Sequence, residues 1–161
     1  SACRASAQAL ELDDGDGMPI ALQLISTLLS TVLMLSSPIT VHRSANCECC
    51  TAWEAHLTAA GFSVTDAVHE DMAAVKTEHG IAAELESCHT AVVDGYVIEG
   101  HVPARSIQRL LKQRPALRGL SAPGMPMGSP GMDGEGIHAE AFAVLSLDDD
   151  GTTQVFDRYG S

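Results

Sequence analysis

Residues 90–100 read TAVVDGYVIEG. Two runs of strand-forming residues flank Asp94-Gly95, a pair that accepts positive φ at both positions. This predicts a two-residue type I′ hairpin. Upstream, PITVHRS (38–44) is a short β-branched run, and the stretch from Cys49 to Ala60 is helix-like. Its Trp53, Leu57 and Ala60 recur at spacings of four and three, and Gly61 stops it. FSVTDAVHE (62–70) reads as a second strand, and DMAAVKTEHG (71–80) as a short helix with Asp71 as N-cap and Gly80 at its end. Downstream of the hairpin, PARSIQRLLKQRP (103–115) reads as a helix with Pro103 at its first position and Ile107, Leu110 and Leu111 on its apolar face.

The order β-α-β-α-β-β-α, with C-x-x-C spacing between the first strand and the first helix, is the thioredoxin-like arrangement. A right-handed crossover makes the first two strands parallel, and the hairpin completes a mixed sheet. Beyond Leu120, SAPGMPMGSPGMDGEG (121–136) is Gly, Pro and Met with few strand or helix formers. AFAVLSLDDDGTTQVFDRY (141–159) then reads as a further hairpin turning near Asp150-Gly151. The expected fold class is α/β: a thioredoxin-like core, a Gly/Pro/Met loop and a C-terminal β-hairpin.

The chain has 161 residues, 45% of them apolar, and a formal net charge of −12. That suits one domain with a real core and excludes global disorder. Strong acidity without a basic run argues against nucleic acid and against a polybasic membrane dock. From Met18 to Thr40 there is no charged residue, and the run IALQLISTLLSTVLML (20–35) is interrupted by Gln and several Ser and Thr. It is marginal as a membrane span and reads better as the apolar region of an export signal, with Met18 as a candidate start. Residues 1–37 are therefore expected to be a signal- or anchor-like segment, the one route to a membrane. Residues 38–161 are expected to be the metal-binding domain, exported to a periplasm. Cys3 precedes the run and would be lost with it.

VHRSANCECCTAWEAHL (41–57) crowds a third thiol, Cys49, into the pair Cys47 and Cys50. Topology should bring Cys88 and His89, just before the third strand, and His101, just after the fourth, to the same end of the sheet. Where thioredoxin-like oxidoreductases usually place a cis-proline, this chain has His89-Thr90. A helix N-terminus favours thiolate, and soft thiolates select Cu(I), zinc or iron–sulfur centres. Met125, Met127 and Met132 sit in the Gly/Pro loop rather than at helical or strand spacing. Thioethers ligate Cu(I) and contribute little to zinc sites, which ranks copper ahead of zinc. The plainer readings are a Cys47–Cys50 redox pair with two bystanders, and methionines that pack over the core. Strand alternation leaves open whether His89 turns toward Cys88. His56 lies about 10 Å along the helix from Cys49 and reads as a satisfied helix histidine. His42, His69, His79 and His138 have no comparable context.

CECCTAWEAHLTAAGF, SCHTAVVDGYVIEGHVPA and PGMPMGSPGM closely resemble the CopG-type copper-resistance proteins over roughly residues 39–159. The resemblance implies a periplasmic protein with a thioredoxin-like core that handles copper. It implies that Cys47, Cys49, Cys50 and Cys88, with Met125, Met127 or Met132, hold the metal. The expected function is Cu(I) binding, with several ions bridged by thiolates, for copper resistance. Two alternatives stand beside it: a thiol–disulfide or copper oxidoreductase using Cys47–Cys50, and a copper chaperone serving an efflux or other copper-resistance partner.

Overall fold

The computed structural model describes residues 37–160. Cys3, Met18 and the expected export segment, except Ser37, lie outside them. The described chain is mixed α/β, with seven strands in one sheet and three helices. In chain order these are β1 (Pro38–Arg43), α1 (Glu48–Ala59), β2 (Ser63–Val68), α2 (Met72–Glu78), β3 (Thr90–Val93), β4 (Tyr96–Gly100), α3 (Ala104–Gln113), β5 (Gly119–Ala122), β6 (Phe142–Leu147) and β7 (Val155–Tyr159). A single 3-10 turn, Ala83–Leu85, leads into β3. The sheet order is β2-β1-β3-β4-β5-β6-β7. Among the described residues no helix is long and apolar enough to cross a membrane.

Local chemistry accounts for the boundaries. Asp94 and Gly95 take φ of 51° and 85°, so the hairpin turns at the predicted pair. The Asp71 side chain accepts from the Ala74 N–H at 3.0 Å and caps α2. Pro103 precedes α3 as its N-cap instead of occupying its first position.

β1 pairs with β2 in parallel and with β3 antiparallel, in a register that puts Val41 opposite Ala91 and His42 opposite Thr90. The side-chain period of two then divides the sheet. On one face Ile39, Val41, Ala91, Val93 and Ile98 meet Trp53 and Leu57 of α1 and Ile107 and Leu110 of α3. On the other face Thr90 and Glu99 stand together, both fully buried, with Lys76 of α2 bonded to them.

β5 is the element the sequence reading lacks. It is short, with the sequence GLSA, and nothing in its own pattern marks a strand. Its neighbours make it one: β4 pairs with it in parallel and β6 antiparallel. Gly119 permits this close approach, because a Cβ there would run into the Val97 carbonyl. Through β5 the C-terminal hairpin joins the main sheet.

Candidate metal centre

Because β1 and β3 are antiparallel, the chain leaves β1 at the edge where β3 begins, so the loop before α1 faces the segment before β3. Cys47 is the N-cap of α1, and Cys49 and Cys50 lie in its first turn. Cys47 and Cys50 are joined as a disulfide, with their Cα atoms 5.3 Å apart, while Cys49 and Cys88 are free thiols. The sulfurs form a ring closed by the disulfide. Cys47 Sγ lies 3.6 Å from Cys49 Sγ, which lies 3.7 Å from Cys88 Sγ, and Cys50 Sγ lies 3.5 Å from Cys88 Sγ.

Cys88 is the hub. Besides two sulfurs, it has His89 Nδ1 at 3.2 Å and His101 Nε2 at 3.0 Å. The question of strand alternation falls away because β3 starts only at Thr90, so Cys88 and His89 are not yet on opposite faces of a strand. Both imidazoles are fully buried. His101 Nδ1 lies 2.8 Å from the Pro130 carbonyl, which can only accept, so Nδ1 carries the proton. Its Nε2 therefore presents a lone pair to Cys88, the arrangement that commonly fixes a ligating histidine. His89 packs against the Trp53 ring at 4.3 Å between centroids, and its Nε2 has no hydrogen-bond partner among the described residues. Trp53 is held by its own Nε1–H, which donates to the Val102 carbonyl at 2.9 Å.

The Gly/Pro/Met loop closes over this end. Gly131 has φ of +85°, and a Cβ on it would stand 2.6 Å from the Cys49 carbonyl oxygen and 2.9 Å from the Trp53 nitrogen. Only glycine lets the loop backbone lie on the first turn of α1. Met127 and Met132 are half-buried on either side of Pro130-Gly131, while Met125 is 53% exposed. The structure thus assembles the four cysteines with His89 and His101 and puts the methionine loop across them. Pro130, which orients His101, is a participant that the sequence reading missed. His56 lies apart from the cluster, accepting from the Ala104 N–H at 3.1 Å and so covering the start of α3.

Among the remaining histidines, His42, His69 and His79 come together, although nothing in their sequence context joins them. Burial, then His69 and His79, hold His42 below the usual histidine range, with Glu78 opposing.

Two sulfurs on one ion, each at about 2.3 Å with a tetrahedral angle, stand about 3.8 Å apart. The 3.5–3.7 Å spacings come close to that. Both the sulfur quartet and the trio Cys88, His89 and His101 offer atoms within 4.8 Å of one another. With the disulfide reduced, the residues fit a soft metal ion.

Protonation sets a condition. Burial, then the neighbouring Cys49, pushes the Cys88 thiol up from 9.0 to about 12. Burial, then His101 and Lys76, pulls His89 down from 6.5 to about 3, and burial also lowers His101. A metal must therefore displace the Cys88 proton as it binds. Below about pH 6.5 the unfolded chain holds more protons than the folded one, so acid favours unfolding. Above about pH 9 the folded chain holds the extra proton on Cys88, so base favours unfolding. Metal-free protein should thus be most stable between those limits. Urea midpoints at about pH 5, 7.5 and 10 check this, and a midpoint that does not fall from 7.5 to 5 would contradict it.

The family described as "protein of unknown function, DUF411" matches residues 85–132, the stretch from the 3-10 turn through the Met loop. The solved structure of copper resistance protein CopG, form 2, is 46% identical with a TM-score of 0.74, covering 78% of this chain and 99% of that one. Form 1 is likewise 46% identical with a TM-score of 0.73, covering 78% and 98%. No curated protein matches. At that identity over nearly the whole of the solved chain, with a sulfur-rich centre suited to metal, the protein belongs to the CopG family of copper-resistance proteins.

Proposed function

We infer that this chain holds Cu(I) as a multi-ion thiolate cluster centred on Cys88 and serves copper resistance in the periplasm. The observation that carries the reading is the position of Cys88, with Cys49 and Cys50 sulfurs at 3.7 and 3.5 Å and two imidazole nitrogens closer still. A thiolate placed between several donors bridges ions rather than serving one. Four cysteines joined this way use their sulfurs more fully around several Cu(I) than around one tetrahedral zinc. His101, fixed by Pro130, supplies a nitrogen donor, and His89 a second. Met127 and Met132 lie on the covering loop, where thioethers would complete the coordination of a soft ion. Holding the full set requires an external dithiol reductant to open the Cys47–Cys50 disulfide, itself becoming a disulfide, and the two thiols formed to give up their protons as copper binds.

The sheet order β2-β1-β3-β4, with α1 and α3 on one face and α2 on the other, supports a thioredoxin-like core. The uncharged run at 20–35 supports export. A copper-efflux or other resistance protein as partner, receiving metal from this chain as a chaperone would pass it, fits the same site.

The disulfide favours a second reading, a thiol–disulfide or copper oxidoreductase. Replacing Cys49 by serine separates the two. The sulfur of Cys49 links Cys47 to Cys88 but is not part of the disulfide, so the variant should fold, keep its disulfide and bind fewer copper ions per chain. Unchanged copper stoichiometry would remove Cys49 from the ligand set. Insulin reduction that survives in Cys49→Ser and disappears in Cys47→Ser would favour the enzyme.

A further inference from the structure

Three histidines outside the sulfur site meet on the opposite face of the sheet. His42 pairs with Thr90, which pairs with Glu99, so all three share the face covered by α2. His69 follows β2 by one residue. Its N–H donates to the Arg43 carbonyl at 2.9 Å and extends the β1–β2 ladder. Since Ala67 is opposite His42, alternation turns His69 to the same face. His79 caps the C-terminus of α2. His42 Nδ1 lies 2.9 Å from His69 Nε2, and the His42 ring centroid lies 5.0 Å from that of His69 and 5.6 Å from that of His79. All three are half-buried.

Two imidazoles facing nitrogen to nitrogen hold one proton between them, and a cation can replace it. Two nitrogens each about 2.05 Å from one ion stand about 2.9 Å apart at a right angle and about 3.3 Å apart at a tetrahedral angle. The His42–His69 pair is already at such a spacing. His79 must rotate to bring its nitrogen in, and its half-buried ring already stands beside that of His42.

The geometry points to a second metal site, an all-imidazole one formed by His42, His69 and His79, for a divalent first-row transition ion. Its chemistry is complementary to that of the sulfur centre. Thiolates select Cu(I), whereas imidazoles suit divalent copper, zinc and nickel, with Cu(II) bound most strongly in the general order of stability. The site does not depend on the thiolate reading, since none of its ligands is shared with the cysteines.

The test adds Cu(II) sulfate to the full chain after its thiols have been saturated anaerobically with Cu(I). Cu(I) is silent in electron paramagnetic resonance, so the signal reports only the added ion. The expected result is one Cu(II) per chain with nitrogen hyperfine structure. Its affinity should fall about tenfold or more in His69→Ala and in His79→Ala, with the Cu(I) count unchanged. The two substitutions lie at element ends and spare β1. A measurement needing no variant is the broadening of histidine ring signals in wild-type protein by substoichiometric Cu(II), which should strike His42, His69 and His79 first. Equal affinity in both variants, no bound Cu(II), or broadening that begins at other histidines would overturn the site. Because the Cu(I) count is made separately, its failure would sink the thiolate reading alone.

Discussion

Cys88→Ser is expected to remove about half or more of the copper that the reduced protein binds, the largest loss of any single cysteine substitution. Besides its disulfide partner, Cys47 Sγ has Cys49 Sγ at 3.6 Å, whereas Cys88 Sγ meets two sulfurs at 3.5 and 3.7 Å and two imidazole nitrogens closer still. Removing Cys47 leaves Cys49, Cys50 and Cys88 in contact with one another, but removing the hub parts Cys49 and Cys50 from both histidines. Serine is nearly isosteric, and Cys88 is half-buried at a strand entrance, so the fold should survive. His101 would keep its bond to Pro130, but its Nε2 would face a harder hydroxyl oxygen that holds Cu(I) poorly. Copper per chain in Cys47→Ser, Cys49→Ser and Cys88→Ser, measured at equal thiol reduction, checks the ranking. A Cys88→Ser protein that binds as much copper as Cys47→Ser would contradict it.

Lys76→Met is expected to destabilise the protein by about 3–5 kcal/mol, the usual result of stripping one partner from a buried ion pair. Lys76 and Glu99 are 6% and 0% exposed and are bonded to each other. Glu99 also accepts the Ser87 N–H at 2.7 Å on Oε1 and the Thr90 hydroxyl at 2.6 Å on Oε2. Those bonds tie the residues flanking Cys88-His89 to β4, so the pair positions the hub of the metal centre from the far face of the sheet. Without Lys76 the carboxylate is buried without a cation. The double variant Lys76→Met/Glu99→Gln removes both charges and should recover much of the loss. Urea unfolding of the three proteins measures this. A loss below about 1 kcal/mol in Lys76→Met, the value of an exposed pair, would show that water reaches Glu99.

The sequence disclosed what is set locally. Asp94-Gly95 announced its hairpin through the φ values that only such a pair adopts readily, and Asp71 announced the start of α2 through its cap. C-x-C-C at a helix start, Cys88-His89 before a strand and His101 after one could be placed at a common edge because topology alone decides it. What stayed hidden depends on register and on neighbours. GLSA becomes β5 only because β4 and β6 pair with it on either side, and Gly119 shows its purpose only against the Val97 carbonyl. The hub role of Cys88 rests on the exact start of β3 at Thr90. Pro130 orients His101 across a loop whose composition carries no positional signal. His42, His69 and His79 are 27 and 10 residues apart in sequence, and their meeting follows from the β1–β2 register and the length of α2.

The most direct test of the thiolate account is metal content by mass spectrometry, with a thiol count alongside, on protein purified anaerobically from copper-fed cells. Several copper ions per chain are expected, with few reactive thiols until the metal is stripped, after which the cysteines become titratable. Protein free of copper, with Cys47 and Cys50 tied in a reducible disulfide and Cys49 and Cys88 both reactive, would contradict it and leave a redox pair in place of a metal centre.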